Sequence, residues 1–524
     1  MGSTTTSRSS TCVSAESTNS PRPILASSWP QASYTDAMQQ QEIYERARLS
    51  RDARFDGQFY VGVKTTGIYC RPVCPAVAPK SENVSFYPSA AAAAEAGYRP
   101  CLRCRPECAP GTPAWNGTST TVRRGLRLIS GGALDDGSIE DLADRLGVTS
   151  RHLRRLFTKY LGASPLAIAH TQRLHFAKRL IDQTSMPMAH VASAAGYGSV
   201  RRFNDTFRKT YGKSPRELRR HSEDSYDDEA ALAVRLTYSR PFSWTSLLDF
   251  LGVRATPGVE AVSAGAYQRT VLIDGRIGVI ECEHEDDRQT VKLSLHGIET
   301  PHVFHVVQRV REMLDLDAPV ARIEDVLTRD KRLATLVRRQ PGVRVPGAWD
   351  GFELAVRAIL GQQVSVKAAT TLAGRVAVRY GQPVRLPASV SATGMLTHLF
   401  PSPHRLSRAR FNDMGLVTSR IESIRALSRA VLSGDINFES AQDPVEFRER
   451  ITGIRGIGEW TAEYIAMRAL KNPDAFPGSD LGLLKAAGDE ISRPAELKRH
   501  AESWRPWRAY AALLLWGSLS GSGG

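Results

Sequence analysis

The most regular pattern of apolar and polar positions lies between about residues 120 and 221, where it occurs twice. In the first copy Ile139, Leu142 and Ala143 mark a buried face, and Gly147-Val148-Thr149-Ser150 turns the chain. Leu153, Leu156 and Phe157 then mark a second helix, which runs to Gly162-Ala163-Ser164-Pro165. The second copy passes through Val191-Ala192, Gly196-Tyr197-Gly198-Ser199, Phe203, Phe207 and Gly212-Lys213-Ser214-Pro215. Phe157 and Phe207 are 50 positions apart, as are Pro165 and Pro215. Spacing of i, i+3 and i+4 after each turn predicts helices with one buried face, so each copy reads as a helix-turn-helix.

Beyond a polar, acidic stretch at 222–229, the period shortens. β-rich segments at 231–238 and 271–282, with a helical stretch at 242–251 between them, predict an α+β unit that ends near Leu316. From Ile323 onward the pattern is mostly helical; 352–379 is the longest amphipathic run and 451–470 contains a glycine hairpin. The N-terminal stretch, to about Ala32, is rich in Ser and Thr, contains Pro21, Pro23 and Pro30 and has no apolar core, which predicts a disordered tail and no signal peptide. No stretch approaches the roughly 20 apolar residues of a membrane helix. The expected location is therefore the cytoplasm, in association with the nucleoid.

A chain of 524 residues exceeds one domain. The expected division is a disordered tail at 1–35, a small α/β domain at 36–112, an all-α double helix-turn-helix at 120–221, an α+β subdomain at 231–316 and an all-α domain at 317–520. The fold class is thus multidomain, mainly α with α+β parts. Polar linkers near 111–121 and 222–230 predict semi-independent modules. Net charge is +15, and residues 123–220 alone hold 19 basic against 8 acidic side chains. A polyanion is implied, and without an amphipathic anchor that polyanion is nucleic acid rather than a membrane. Arg151, Arg154, Arg155, Arg201, Arg202 and Arg208 fall largely off the apolar faces and are the candidate DNA contacts.

Four of the seven cysteines cluster as Cys70, Cys74, Cys101 and Cys104, with three residues inside the first pair, two inside the second and 26 between them. That arrangement suits one tetrahedral Zn²⁺, against the bland alternative of two unrelated structural pairs. Cys12, Cys108 and Cys282 read as spare thiols. Around the four cysteines stand Phe55-Asp56-Gly57, Thr65-Thr66-Gly67-Ile68-Tyr69-Cys70-Arg71-Pro72-Val73-Cys74, Glu82-Asn83-Val84-Ser85-Phe86-Tyr87 and Gly97-Tyr98-Arg99-Pro100-Cys101-Leu102-Arg103-Cys104. This stretch resembles the N-terminal domain of the Ada family. The resemblance implies that Cys70, a zinc ligand, irreversibly accepts a methyl group from a DNA methylphosphotriester. Zn²⁺ with four thiolates carries −2 and repels phosphate; methylation of one sulfur brings it to −1, which would strengthen DNA binding. Arg71, Arg99, Arg103 and Arg105 would offset the cluster's charge and hold phosphates.

The repeat resembles the AraC-type DNA-binding domain, whose two motifs enter successive major-groove segments. It implies promoter DNA and RNA polymerase as partners. In the C-terminal half, Ile451-Thr452-Gly453-Ile454-Arg455-Gly456-Ile457-Gly458-Glu459-Trp460 sets Gly456 and Gly458 just before a helix, where backbone amides can bind a phosphate. With Asp480 in Phe476-Pro477-Gly478-Ser479-Asp480-Leu481-Gly482, this resembles the helix-hairpin-helix glycosylases, above all 3-methyladenine DNA glycosylase II of the AlkA family. The resemblance implies Asp480 as catalytic carboxylate, Trp460, Tyr464 and Trp516 as walls for an alkylated base, Gln363 as the side chain wedged into damaged double-stranded DNA, and a monovalent cation as a candidate at the hairpin. An Asp in such a turn is otherwise a helix cap.

Two departures from the family patterns matter. Lyase members carry a lysine where this chain has Trp460, so base release without strand cleavage is expected. No Pro-Cys-His-Arg segment is present, so no O6-methylguanine acceptor is expected. Two other readings stay open: a zinc-containing regulator whose glycosylase-like part is silent, and a thiolate redox sensor.

Overall fold

The computed structural model describes residues 34–109, 120–135, 137–219, 232–386, 395–438, 443–488 and 491–520. The expected tail, apart from its last two residues, and most of the two linkers lie outside them. Among the described residues no helix is long and apolar enough to cross a membrane.

The first elements are α1 (Tyr34–Leu49), β1 (Tyr60–Val63), β2 (Ile68–Cys70), β3 (Val84–Tyr87), α2 (Ala90–Glu95) and β4 (Arg99–Pro100). The strands form a sheet in the order β3-β1-β2-β4, with β4 parallel to β2 and the other pairs antiparallel. Small alanines line the buried face of α2, and Ser89 caps it through Ala92 N.

The repeat folds as α3 (Thr120–Ser130), α4 (Ile139–Arg145), α5 (Ser150–Leu161), α6 (Pro165–Gln183), α7 (Met188–Ala194), α8 (Val200–Tyr211) and α9 (Pro215–Leu218). Its two copies share a grammar. α5 buries Leu153, Phe157 and Leu161 and α8 buries Phe203, Phe207 and Tyr211, each set at i, i+4 and i+8. Thr149 and Ser199 cap the two helices, and Gly162 and Gly212 end them in the left-handed conformation that glycine adopts without strain.

Next come β5 (Leu232–Thr237), α10 (Trp244–Gly252), β6 (Glu260–Ser263), β7 (Ala266–Ile273), β8 (Arg276–Glu285) and β9 (Thr290–His296), the strands forming an antiparallel sheet in the order β5-β9-β8-β7-β6. The segment expected at 271–282 proves to be the end of β7 and the start of β8, joined by a tight turn at Asp274-Gly275 with positive φ at both residues.

The remainder is helical: α11 (Val303–Met313), α12 (Val320–Leu327), α13 (Lys331–Arg339), α14 (Gly351–Leu360), α15 (Val366–Tyr380), α16 (Pro403–Ser407), α17 (Thr418–Ser433), α18 (Pro444–Thr452), α19 (Glu459–Arg468), α20 (Leu481–Ala487), α21 (Pro494–His500) and α22 (Arg508–Ser520). Short strands β10 (Gln382–Pro383) and β11 (His398–Leu399) pair between them. The long run expected at 352–379 is two helices, because the chain breaks between Leu360 and Val366, where Gln363 has φ +55° and Ser365 caps α15.

The modules share cores rather than standing apart. One apolar cluster runs from Phe176, Phe203 and Phe207 into Val234, Leu293 and Phe304, so the second helix-turn-helix and the five-stranded sheet pack as one body. Another joins Tyr69, Tyr87 and the α2 alanines to Leu153 and Phe157. Linker composition reports how a connection behaves; it carries no information on whether the surfaces it connects are apolar and fit each other.

Candidate functional site

Parallel pairing of β2 with β4 brings the four cysteines together. Cys70 ends β2, Cys101 follows β4, and Cys101 N donates to Tyr69 O at 3.0 Å. The four Sγ atoms all lie within 4.8 Å of one another. Zn–S bonds of about 2.3 Å in a tetrahedron require sulfurs about 3.8 Å apart, a separation within that bound, so the set fits one Zn²⁺. Cys101 and Cys104 are buried while Cys70 and Cys74 are half-buried, which leaves the first pair reachable from outside. Cys108 and Cys282 lie outside the cluster.

Arg71 braces this site from within: its backbone N–H donates to Cys104 Sγ at 3.3 Å, and its guanidinium pairs with Asp56 and donates to Cys104 O at 3.1 Å. Arg71, half-buried, is thus engaged with Asp56 and with the loop that carries Cys104. Arg99 and Arg103 are exposed, and Arg105 pairs with Glu107 at 3.3 Å and with Asp182 on α6. On α5 and α8, Arg151, Arg154, Arg155, Arg201 and Arg202 are all exposed, on the side opposite the buried phenylalanines. Arg154 meets Glu140 at 3.4 Å across solvent.

The second site is built on α18, α19 and the loop before α20. Gly456 has φ +88°, and a Cβ there would collide with Ser423 Oγ, so the turn demands glycine. At Gly458, the N-cap of α19, a Cβ would meet nothing within 4 Å, and the helix N-terminus is open to a phosphate. Gln362, the neighbour of the expected wedge and not itself an expected site residue, braces this turn: its amide donates to Gly456 O at 2.9 Å and Thr461 Oγ1 at 3.0 Å. Gln363 is exposed beside it.

Asp480 is at once the N-cap of α20 and the acceptor for two indole N–H groups. Its Oδ1 accepts from Leu483 N and from Trp516 Nε1, and its Oδ2 accepts from Trp460 Nε1, all at 2.9 Å. The two indoles fix both oxygens of the carboxylate. Glu463 on α19 accepts from Phe476 N at 2.9 Å and so ties the loop that carries Asp480 to the helix that carries Trp460.

Trp460 and Tyr464 are parallel within 6° with centroids 5.4 Å apart. A base sandwiched between two rings needs them about 7 Å apart, twice a van der Waals contact, so this pair makes one continuous wall. Trp516 stands across from it, at 63° to Tyr464 and 6.4 Å away. Two arginines and a phenylalanine that the sequence pattern did not single out complete the rear. Arg468 donates to Tyr464 OH at 2.8 Å, and Arg254 and Arg468 lie over the ring of Phe250 at 3.8 and 5.0 Å. Burial pushes the Tyr464 phenol up, but Arg468 and Arg254 outweigh it and hold the pKa below the usual tyrosine value.

Comparison with known proteins agrees with this layout. Residues 44–107 match the metal binding domain of Ada, 142–221 a helix-turn-helix domain and 233–350 the AlkA N-terminal domain. DNA-3-methyladenine glycosylase 2 of Escherichia coli is 32% identical over 285 residues, covering 54% of this chain and 95% of that protein. The bifunctional transcriptional activator/DNA repair enzyme AdaA of Bacillus subtilis is 31% identical over 184 residues, covering 35% of this chain and 85% of that protein. A Mycobacterium tuberculosis protein described as "Probable bifunctional transcriptional activator/DNA repair enzyme AlkA" is 41% identical over 481 residues, 90% of this chain and 95% of that one. Sharing all three modules with that protein across nearly its whole length, the chain belongs to the family of bifunctional transcriptional activator/DNA repair enzymes in which an Ada-type zinc domain and a helix-turn-helix regulator are fused to an AlkA-type glycosylase.

Proposed function

We propose that this protein repairs alkylated DNA at two kinds of lesion and reports the damage as a transcription activator. The division of labour we assign is methyl acceptance at 36–112, promoter recognition at 120–221 and base excision at 231–520, in the cytoplasm and with RNA polymerase as the partner of the activated form.

Cys70 is the proposed acceptor. Its Sγ attacks the methyl carbon of a phosphotriester; the C–S bond forms, the C–O bond breaks and its electron pair stays on the phosphate oxygen, which regains its charge. Zinc, when bound, supplies thiolates at neutral pH. The partial exposure of Cys70 at the end of β2 supports this role, and so does the brace that Arg71 forms at Cys104. In the second reaction the N-glycosidic bond breaks with its electrons leaving on the alkylated purine, and Asp480 stabilises the cationic sugar and takes a proton from the water that adds to it. The observation that carries this reading is the double indole grip on Asp480 beside an aromatic wall. Trp460 occupies the position where a Schiff-base lysine would be needed, so release of 3-methyladenine-type bases leaves the strand intact. Gly456, Gly458 and the exposed Gln363 would engage the strand around the extruded nucleotide.

The test follows two products from methylated duplex DNA: methyl groups on the protein by mass, and free alkylated base in solution. Wild type yields both, Cys70→Ala loses only protein methylation, and Asp480→Asn loses only base release. If zinc-replete protein gives neither product, a zinc-containing DNA-binding regulator is what remains.

A further inference from the structure

The C-terminal end of α19 is held by cations, and one of them belongs to another module. Carbonyls beyond the last helical turn have no partner within the helix and must find donors. Arg468 donates from Nε to Pro346 O at 2.9 Å and from Nη2 to Gly347 O at 3.0 Å. Lys471 reaches Glu312 O along a path that passes directly over Gly347, where a Cβ would displace the ammonium. The carbonyls of Leu470 and Lys471 are met by Arg127 of α3, Nη1 to the first and Nη2 to the second, both at 3.0 Å. A guanidinium fork across two carbonyls at a helix C-terminus satisfies them and complements the negative end of the helix dipole.

We propose that Arg127 is a positioning residue for base excision, supplied by the transcription module to the helix that bears the Trp460–Tyr464 wall. This rests on the glycosylase reading of the C-terminal half. The route is short: Arg127 fixes the chain at 470 and 471, Arg468 two residues earlier donates to Tyr464 OH, and Tyr464 is stacked on Trp460. Loss of the fork lets this end of the helix fray and turns the wall against Trp516 and Asp480. Phosphate contacts form at the other end of α19, about 15 Å away for ten residues, so they are spared. Misplacement of the pocket by this route costs chemical rate and leaves DNA affinity unchanged.

The experiment uses full-length, zinc-replete protein and measures single-turnover release of alkylated base alongside Kd for duplex containing an abasic-site analogue. Arg127→Ala is expected to slow release about tenfold, the equivalent of one buried hydrogen bond, with Kd unchanged. Arg127→Lys keeps the charge and a donor and restores part of the rate. Asp135→Ala cuts a different tether of the same interface, the 2.9 Å contact with His305, together with the pairing of Asp135 with Arg173 inside the transcription module, and is expected to excise at the wild-type rate. A melting curve that retains every wild-type transition shows that each variant has folded. Wild-type release by Arg127→Ala overturns the proposal, and so does an equal loss in Asp135→Ala, which would mean that docking in general is what matters. If wild type itself releases no base, the glycosylase reading fails, and this inference fails with it.

Discussion

The phenol oxygen of Tyr69 lies 2.9 Å from Nε2 of His175. Tyr69 precedes Cys70 on β2 and His175 sits in the middle of α6, so this contact ties the strand of the proposed methyl acceptor to the helix that links the two DNA-reading motifs. Tyr69 is buried and His175 largely so, and α6 meets the first module again where Lys178 and Arg105 pair with Asp182.

Burial pushes the His175 imidazole down from 6.5 to about 3. Between those values the unfolded chain binds a proton that the folded chain refuses, so His175 makes no demand above pH 6.5 and destabilises the fold progressively as pH falls below it. The loss is about 1.4 kcal/mol per pH unit, or about 2 kcal/mol by pH 5. Denaturant unfolding of wild type and His175→Gln at pH 7 and pH 5 should show a smaller drop in the variant by that amount. Equal drops would mean that His175 is not neutral in the folded protein.

Asp480→Asn should separate chemistry from folding. Asparagine caps a helix as well as aspartate, so the bond from Leu483 N survives; its amide nitrogen in place of Oδ2 cannot accept from Trp460 Nε1, and stability should fall only by about 1 kcal/mol, the worth of one hydrogen bond. The charge that stabilises the sugar cation is gone, and single-turnover base release should fall by at least about 100-fold. A variant that excises within a few-fold of wild type would remove Asp480 from the mechanism.

The two hairpin glycines should fail in different ways. Gly456→Ala forces a side chain into Ser423 at φ +88° and should cost roughly 1–3 kcal/mol of stability. Gly458→Ala meets open space at φ −91° and should melt like wild type, yet bind abasic-analogue duplex more weakly because the new methyl stands where the phosphate approaches. Melting curves and Kd values for the pair decide it; identical behaviour would refute the distinction.

Arg201 and Arg202 are exposed at the start of α8. If both meet phosphates, Arg201→Ala/Arg202→Ala should reduce the slope of log K against log salt for promoter-length duplex by about 0.9 for each phosphate no longer neutralised, without changing single-turnover base release. An unchanged slope would place both arginines away from the backbone.

What the sequence made legible was whatever is written locally. Two short cysteine spacings announced the metal set, a 50-residue repeat announced two helices each capped by a hydroxyl and ended by a glycine, and glycines at 456 and 458 announced a turn. What it hid depends on partners distant along the chain. Arg71 has the composition of a phosphate contact, and only the fold brings Asp56, 15 residues earlier, to occupy it. Gln362 and Gln363 are indistinguishable as letters; the fold sets one bracing the hairpin and the other pointing outward. Trp460 and Tyr464 at i and i+4 read as separate walls, and only their 6° alignment makes them one. Phe250 and Arg254 come from α10 and the turn after it, about 200 residues before the helix they serve, and no periodicity links them to it.

The packing of Phe176 against Phe304, with ring centroids 5.1 Å apart, lies inside a core that belongs to the second helix-turn-helix and the five-stranded sheet together. The borders along which this chain divides its tasks are therefore not the borders along which it melts. Calorimetry should show residues 165–316 unfolding as one cooperative block, and a cut placed between α9 and β5 should yield two fragments that still travel together on a sizing column until denaturant parts them.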